Sequence, residues 1–428
     1  MSGPAPAGPL TLHWFLPTSG DSRGLVGAGQ GAPLDQGRAG EATTDGVQRP
    51  PDIEYLAHVA RTAEQLGFEG VLTPTGTWCE DAWLTTAALL RETSRLKYLV
   101  AFRPGVTHPV LAAQMAAAYQ RISRGRLMLN IVTGGEPTEQ RRFGDRLDKD
   151  ARYARTDEFL EVLRGTWEQA PFDFEGEHYS AEGALVRGGI DPRPQLYFGG
   201  SSPAAGEVAA RHVDVYLTWG EPVEQVAEKV AWIRRLAAAR GRTLRFGLRV
   251  HTLSRDTSDA AWSHAQHLLD GLDRDVVAKA QEAMSRSEST GQQRMSALRS
   301  GAGARDWEDA RALEVSPNLW SGVGLVRGGA GTALVGSHEE VADRLAEYQE
   351  AGIDEVILSG YPHVEEAYWF AEGVRPVLQR RGLVAPPASY DRLDGWTTSA
   401  GQRSPSASPS WAASSPGSPT AAGVSRPA

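Results

Sequence analysis

The stretch 96-LKYLVAFRPGVTHPVLAAQMAAAYQRISRGRLMLNIV-132 decides the fold. Two short apolar runs, Leu96–Phe102 and Leu127–Val132, flank a helical pattern at Pro109–Ile122. Alternation of this kind is the signature of a parallel sheet covered by helices. It continues on both sides. Upstream strands are expected at Leu10–Leu16 and Gly70–Pro74. Downstream ones are expected at Gln195–Phe198, Val213–Trp219, Leu244–Thr252 and Glu355–Leu358. Helices are expected at Asp52–Leu66, Trp83–Glu92, Ala154–Gln169, Pro203–His212, Pro222–Arg240 and His338–Ala351. Eight β–α alternations in about 350 residues point to an α/β fold of the (β/α)₈ TIM-barrel type. An open doubly wound sheet is the alternative, because strand order is invisible in sequence.

Three segments exceed a minimal barrel. Residues 20–51 are rich in Gly and small polar residues and read as an insertion after strand 1. Residues 258–335 form a long insertion between strands 7 and 8, with helical patterns at 259–272 and 275–285. Its end, 323-VGLVRGGAGTALVG-336, reads as a mobile loop over the barrel mouth. It is not a dinucleotide fingerprint, because Arg327 stands where the third glycine belongs. Residues 396–428 are Ser- and Pro-rich with no acidic residue after 396, a composition that cannot offset its ordering entropy, so a disordered tail is expected. The catalytic domain is therefore read as 1–395.

Composition removes several function classes. A net charge of −9 without a Lys/Arg block argues against nucleic acid or an anionic membrane as partner. No signal peptide or membrane span is legible, so a cytoplasmic location is expected. The single cysteine, Cys79, excludes a disulfide framework and a Cys-based zinc site. Only four of the 44 basic residues are lysines, and none closes an expected strand, which weakens Schiff-base chemistry. No strand ends in a metal-ligand cluster, so no metal is expected.

In a TIM barrel the site lies at the C-terminal ends of the strands. Strand alternation in 244-LRFGLRVHT-252 sends Phe246, Leu248 and Val250 to one face and Gly247, Arg249 and His251 to the other. An inward Arg and His near the barrel mouth suit an anion or acid–base site, since burying them uncompensated is costly. Strand 5 runs into 198-FGGSSP-203, where Ser202 suits an N-cap and Pro203 the first helical position. Such a turn aims donors at an anion, typically phosphate. Strand 4 offers Asn130, Thr133 and Gly134, strand 6 Trp219, strand 8 Tyr361 and His363, and the end of strand 2 Cys79. Ser337 and Glu340 fit a capping box for the last long helix.

Taken together, HWFLPTSGD, GTWCEDAW, LNIVTGGEP, LYFGGSS, LTWGEP, RFGLRVH, GQQRM, GLVRGGAGTALVG and SGYPH occur in order from about residue 11 to residue 375. This set resembles the flavin-dependent alkanesulfonate monooxygenases of the bacterial luciferase-like family. The resemblance implies a barrel that takes reduced FMN from a separate NAD(P)H-dependent FMN reductase. With O₂ a flavin peroxide forms, and C–S cleavage of an alkanesulfonate releases sulfite and an aldehyde. Carried onto this chain, it makes Arg249, His251 and Arg294 catalytic. Arg294 would reach in from the insertion as a lid closes. Trp219, Tyr361 and Cys79 would line the substrate pocket. Ser201 and Ser202 would hold the FMN phosphate, with Thr133 and Tyr153 as further flavin contacts. A homo-oligomer is the expected assembly, and a sulfone or another small organic molecule is the alternative substrate. The chain departs from the pattern at residues 31–51, which look inserted. It departs also at Thr77 and Trp78, where a basic and a small residue are usual. Trp78 is expected to narrow or reshape the substrate entrance.

Overall fold

In the computed structural model, residues 8–26, 49–169, 171–301 and 308–386 are described. Most of the Gly-rich insertion and the 396–428 tail lie outside the described residues. All eight expected strands form: β1 Thr11–Phe15, β2 Gly70–Thr73, β3 Lys97–Phe102, β4 Leu127–Ile131, β5 Gln195–Gly199, β6 Val215–Trp219, β7 Arg245–Arg255 and β8 Glu355–Ser359. Every neighbouring pair is parallel. β8 pairs with β1 through Thr11 and Glu355, so the sheet closes into a (β/α)₈ TIM barrel and the open-sheet alternative falls.

Helices α1 Ile53–Gln65, α2 Ala82–Leu89, α3 Pro109–Ser123, α4 Lys149–Glu168, α5 Pro203–His212 and α6 Val223–Ala238 follow the first six strands. Side chains alternate as the strand period requires. Phe246, Leu248 and Val250 pack outward against the helices, and Phe15, Leu72, Leu99, Met128, Leu217 and Ile357 fill the barrel interior. The caps follow local chemistry: the Ser202 side chain accepts from the Ala205 amide, and Pro203 opens α5.

The insertion between β7 and β8 carries α7 Ser258–Asp270, α8 Arg274–Ser285 and α9 Thr290–Gly301. The helix α9 contains GQQRM and exceeds the two helical patterns legible in sequence. The 323–336 run is loop only in its middle, where Gly328, Gly329 and Ala330 lie at the barrel mouth. Gly322–Leu325 forms a 3₁₀ turn, Ala333–Ser337 forms a strand, and Val323–Val326 and Ala333–Val335 are buried. That strand pairs in parallel with residues 251–255 of β7, which outruns the barrel by this extension. Ser337 and Glu340 then make the capping box of α10 His338–Glu350. At the other insertion, an antiparallel bridge between Asp21 and Arg49 closes the base of the Gly-rich segment.

Candidate active site

A cavity of about 980 Å³ opens at the C-terminal ends of the strands, roofed by α8 and α9. Its size stands at the upper end of the ~300–1,000 Å³ usual for small-molecule sites. Three of the four lysines in the chain, Lys149, Lys229 and Lys279, line it together with Arg103 and Arg249. Glu136, Glu139 and Glu282 line it too, and Arg103 and Lys229 are paired with Glu139 and Glu221, so the cavity mixes both signs of charge.

At the floor, only Arg249 of β7 reaches the cavity lining; the expected site residues His251 and Tyr361, with Ser359 of β8, are buried behind it. Arg249 is 4% exposed and pairs with no carboxylate among the described residues. Its Nη1 donates to the Val250 carbonyl (3.0 Å) and its Nη2 to Ser359 Oγ (2.7 Å), while the guanidinium lies 5.0 Å from the Phe15 ring. Ser359 Oγ and His251 Nδ1 are 2.6 Å apart, and His251 Nε2 is 2.9 Å from the Ala330 carbonyl. Arginine only donates and a carbonyl only accepts, so the directions are fixed. The chain runs from Arg249 to Ser359 to His251 Nδ1, and His251 Nε2–H donates to Ala330. Burial lowers the Arg249 pKa to about 10. Burial, then the neighbouring charges of Arg249 and Arg327, hold His251 well below its usual range, so the imidazole is neutral. Tyr361 is buried beside His251 (ring centroids 5.2 Å apart), with the Arg327 guanidinium 4.7 Å from its ring. Ser359 and Arg327 were not singled out as site residues from sequence. The strand-end serine in LSGYPH and the arginine in GLVRGG were the available signals.

A second corner is formed by Gly199–Ser202 at the N-terminus of the ten-residue α5. Ser201 and Tyr153 line the cavity there. Tyr153 hydrogen-bonds Ser202, and burial raises the phenol pKa. Tyr216 Oη donates to the Gly200 carbonyl (2.5 Å) and turns that peptide. A Cβ at Gly200 would meet Ala205 Cβ at 2.5 Å, so only glycine leaves the turn open. Hydroxyls beside a helix N-terminus fit a phosphate. Thr133 also lines the cavity, with its hydroxyl 3.2 Å from that of Thr156.

The remaining expected residues are placed differently. Trp219 lines the cavity and packs against the roof, where a Cβ on Gly291 would meet its Cζ3 at 2.9 Å. Arg294 is not brought to Arg249 and His251. Its Nε and Nη2 donate to Glu221 (2.8 and 2.9 Å), which Lys229 also contacts at 2.9 Å. Cys79 sits behind the lining, with Sγ 3.8 Å from the Pro74 carbonyl, and burial pushes its thiol up to about 12. Such a thiol is not a nucleophile at neutral pH. His363 lies off the cavity in a clamp with Asp21, with Nδ1 to Oδ1 at 2.8 Å, and that clamp ties β8 to the base of the Gly-rich insertion. On the β3–β4 side Arg103 pairs with Glu139, whose Oε1 accepts from the Thr77 amide (3.2 Å).

Solved structures share this architecture. Riboflavin lyase RcaE, solved with a modified FMN and riboflavin, is 22% identical, with a TM-score of 0.70 over 90% of this chain and 96% of that one. EDTA monooxygenase EmoA from Chelativorans sp. BNC1 is 20% identical, with a TM-score of 0.66 over 89% and 96%. Long-chain alkane monooxygenase LadA is 20% identical, with a TM-score of 0.63 over 94% and 97%. At these identities the likeness speaks for the fold. The family model for luciferase-like monooxygenases matches residues 21–355, most of the chain. This chain belongs to the luciferase-like monooxygenase family.

Proposed function

We propose that this protein is a two-component monooxygenase that uses reduced FMN and O₂ to cleave the C–S bond of alkanesulfonates, releasing sulfite and an aldehyde. The observation that carries the proposal is Arg249, a guanidinium buried on the cavity floor without a carboxylate. Burying an unpaired cation costs several kcal/mol, a cost a sulfonate would offset because it stays charged at every accessible pH.

FMN fits the corner opposite. Ser201, Ser202 and Tyr153 would hold its phosphate at the start of α5, and Thr133 would contact the flavin nearby. Bound, the reduced flavin supplies the activation of O₂. This chain's own residues do the rest. Arg249 binds and orients the sulfonate oxygens, and its charge supports developing negative charge there. Ser359 fixes the guanidinium and presents one hydroxyl between Arg249 and His251. His251, neutral, accepts at Nδ1 and so holds that hydroxyl in one direction. Trp219 and the roof exclude water from the reacting centre. Tyr361 supports His251 from behind, Arg294 holds the roof shut through Glu221, and Cys79 shapes the β2 wall as an un-ionised thiol.

The electron supply would be an NAD(P)H-dependent FMN reductase, and the setting cytoplasmic, with one catalytic domain through about residue 395. Among the described residues no helix is long and apolar enough to cross a membrane. A homo-oligomer is supported by an apolar outer face on α2 and α3. Leu84 is 75% exposed and Ile122 72%, and Leu111 lies three turns before Ile122 on the same side.

The test is sulfite release. Purified protein, reduced FMN, O₂ and alkanesulfonates of graded length should give sulfite with flavin-dependent stoichiometry. A second reading, oxidation of a sulfone or another small organic molecule, draws on relatives whose names give EDTA and long-chain alkane as substrates. Turnover of sulfones without any sulfite from sulfonates would replace the first reading with the second.

A further inference from the structure

We propose that Trp78 sets the upper limit of substrate chain length, as the far wall of an apolar track that begins at Arg249. The inference rests on the sulfonate reading above and goes on to say which sulfonates are accepted.

The track follows strand register. Phe15, against the Arg249 guanidinium, ends β1 and is paired in register with Leu72 on β2. The chain after Leu72 turns through Pro74 and Gly76 to Trp78. Phe15, Leu72, Pro74 and Trp78 all line the same cavity. A sulfonate seated on Arg249 therefore has a largely apolar wall on the β1–β2 side, interrupted only by Thr75, along which its carbon chain can lie, and that wall ends at an indole. On the β4 side the lining mixes Asn130 and Thr133 with Ile131 and Val132, and Glu136 and the Arg103–Glu139 pair stand around the β3–β4 loops; Leu217, Trp219 and Met284 add apolar surface toward β6 and the roof.

The indole is held in place. A Cβ on Gly76 would overlap Trp78 Nε1 and come within 2.7 Å of Glu139 Oε1, so the loop has room for this ring only because residue 76 is glycine. Glu139 is itself fixed by Arg103 and the Thr77 amide. Trp78 is therefore a half-buried ring seated against Gly76 beside a fixed carboxylate. A smaller residue at 78 would leave the Arg103–Glu139 pair intact and lengthen the track.

The experiment compares wild type, Trp78→Ser and Trp78→Phe on a series of linear alkanesulfonates from one to ten carbons. Sulfite release gives kcat/KM, and anaerobic quench titration in the presence of reduced FMN gives Kd without turnover. Trp78→Ser should move the optimum toward longer chains. Its preference for the longest over the shortest substrate should rise roughly tenfold or more, the discrimination one or two methylenes carry in a hydrophobic pocket. The change should appear in Kd and KM more than in kcat, and Trp78→Phe should fall between. The affinity for reduced FMN alone should stay within about twofold, because the wall is assigned to substrate. An unchanged chain-length profile in folded Trp78→Ser and Trp78→Phe would overturn the proposal while leaving the sulfonate reading standing. Equal losses on every chain length, tracking weaker FMN binding, would overturn it also. Absence of sulfite from wild type on every chain would remove both.

Discussion

The cavity floor and its roof are attached to the protein in different ways. At the floor, Arg249, His251 and Ser359 are all but inaccessible; Arg249 and Ser359 are oriented by partners on the adjacent strand, and His251 by Ser359 and the Ala330 carbonyl of the insertion. At the roof, α8 buries only Val277 and Ala280, and α9 meets the barrel through polar contacts near its edge. Lys149 Nζ donates to Thr290 Oγ1 (3.1 Å), the Gly329 amide to Gln292 Oε1 (2.9 Å), Arg152 to Glu288 (3.0 Å), and Arg294 to Glu221. The floor is held mainly from within the barrel, whereas the roof is held by these side-chain pairs together with the buried Met295 and the contact of Gly291 with Trp219. Electrostatics aimed at a ligand gain most from being preorganised, and a cover gains from being exchangeable. The two arginines embody the division. Arg249 has no carboxylate partner among the described residues; Arg294 is paired with Glu221.

The largest effect that could break this comparison is at the floor. Arg249→Met should lower sulfite formation by roughly a hundred- to a thousandfold, the usual loss when one preorganised charge donor is removed. The same variant should melt no lower than wild type, because an unpaired buried cation is replaced by an apolar side chain of similar length. Steady-state kinetics and a thermal melt together decide. Activity near wild type, or a large fall in melting temperature, would make Arg249 a structural residue instead.

A smaller effect is expected at the roof. Arg294→Gln leaves Glu221 with Lys229 as its remaining cation, so the barrel should stay intact. The open form should gain about fivefold, equivalent to the ~1 kcal/mol at the upper end for a partly exposed pair. Limited proteolysis within α8–α9 should quicken by that factor, and KM should rise while the flavin-saturated kcat changes less. A kcat loss as deep as that of Arg249→Met would place Arg294 on the reacting group and erase the distinction between floor and roof.

The sequence made the barrel legible because its signal is periodic. Apolar runs at strand spacing, Pro203 after Ser202, and Ser337 with Glu340 each act locally and each formed as expected. The alternation in β7 likewise placed Arg249 and His251 on the inner face. Other features depended on distant pairing. The 333–337 strand carries glycine-rich flanks that read as loop, and only the overlong β7 beside it makes it a strand. Arg294 was expected from the resemblance to reach the anion site, and nothing local in the sequence marked it as the partner of Glu221, 73 residues earlier. Ser359 gained its place only when β7 and β8 came into register at His251.

The finest test of the comparison uses protons, because a preorganised floor should refuse one that an accessible group would take. His251 has its pKa depressed by burial and by the charges of Arg249 and Arg327. In the unfolded chain it protonates near 6.5. Below that pH the unfolded state therefore binds a proton that the folded state declines, and stability falls as pH drops through about 6.5. The contribution is complete above that value and declines by up to about 1.4 kcal/mol per pH unit below it. Other histidines add their own slopes, so the quantity to compare is the difference between wild type and His251→Gln in urea midpoints from pH 7.5 to 5.5. The variant should lose part of the wild-type slope, while Arg294→Gln should keep the His251 contribution, since Arg294 does not touch that imidazole. Equal slopes for wild type and His251→Gln would mean that the folded imidazole takes up its proton normally. The floor would then be as open to water as the roof, and the contrast between them would fail where it is most sensitive.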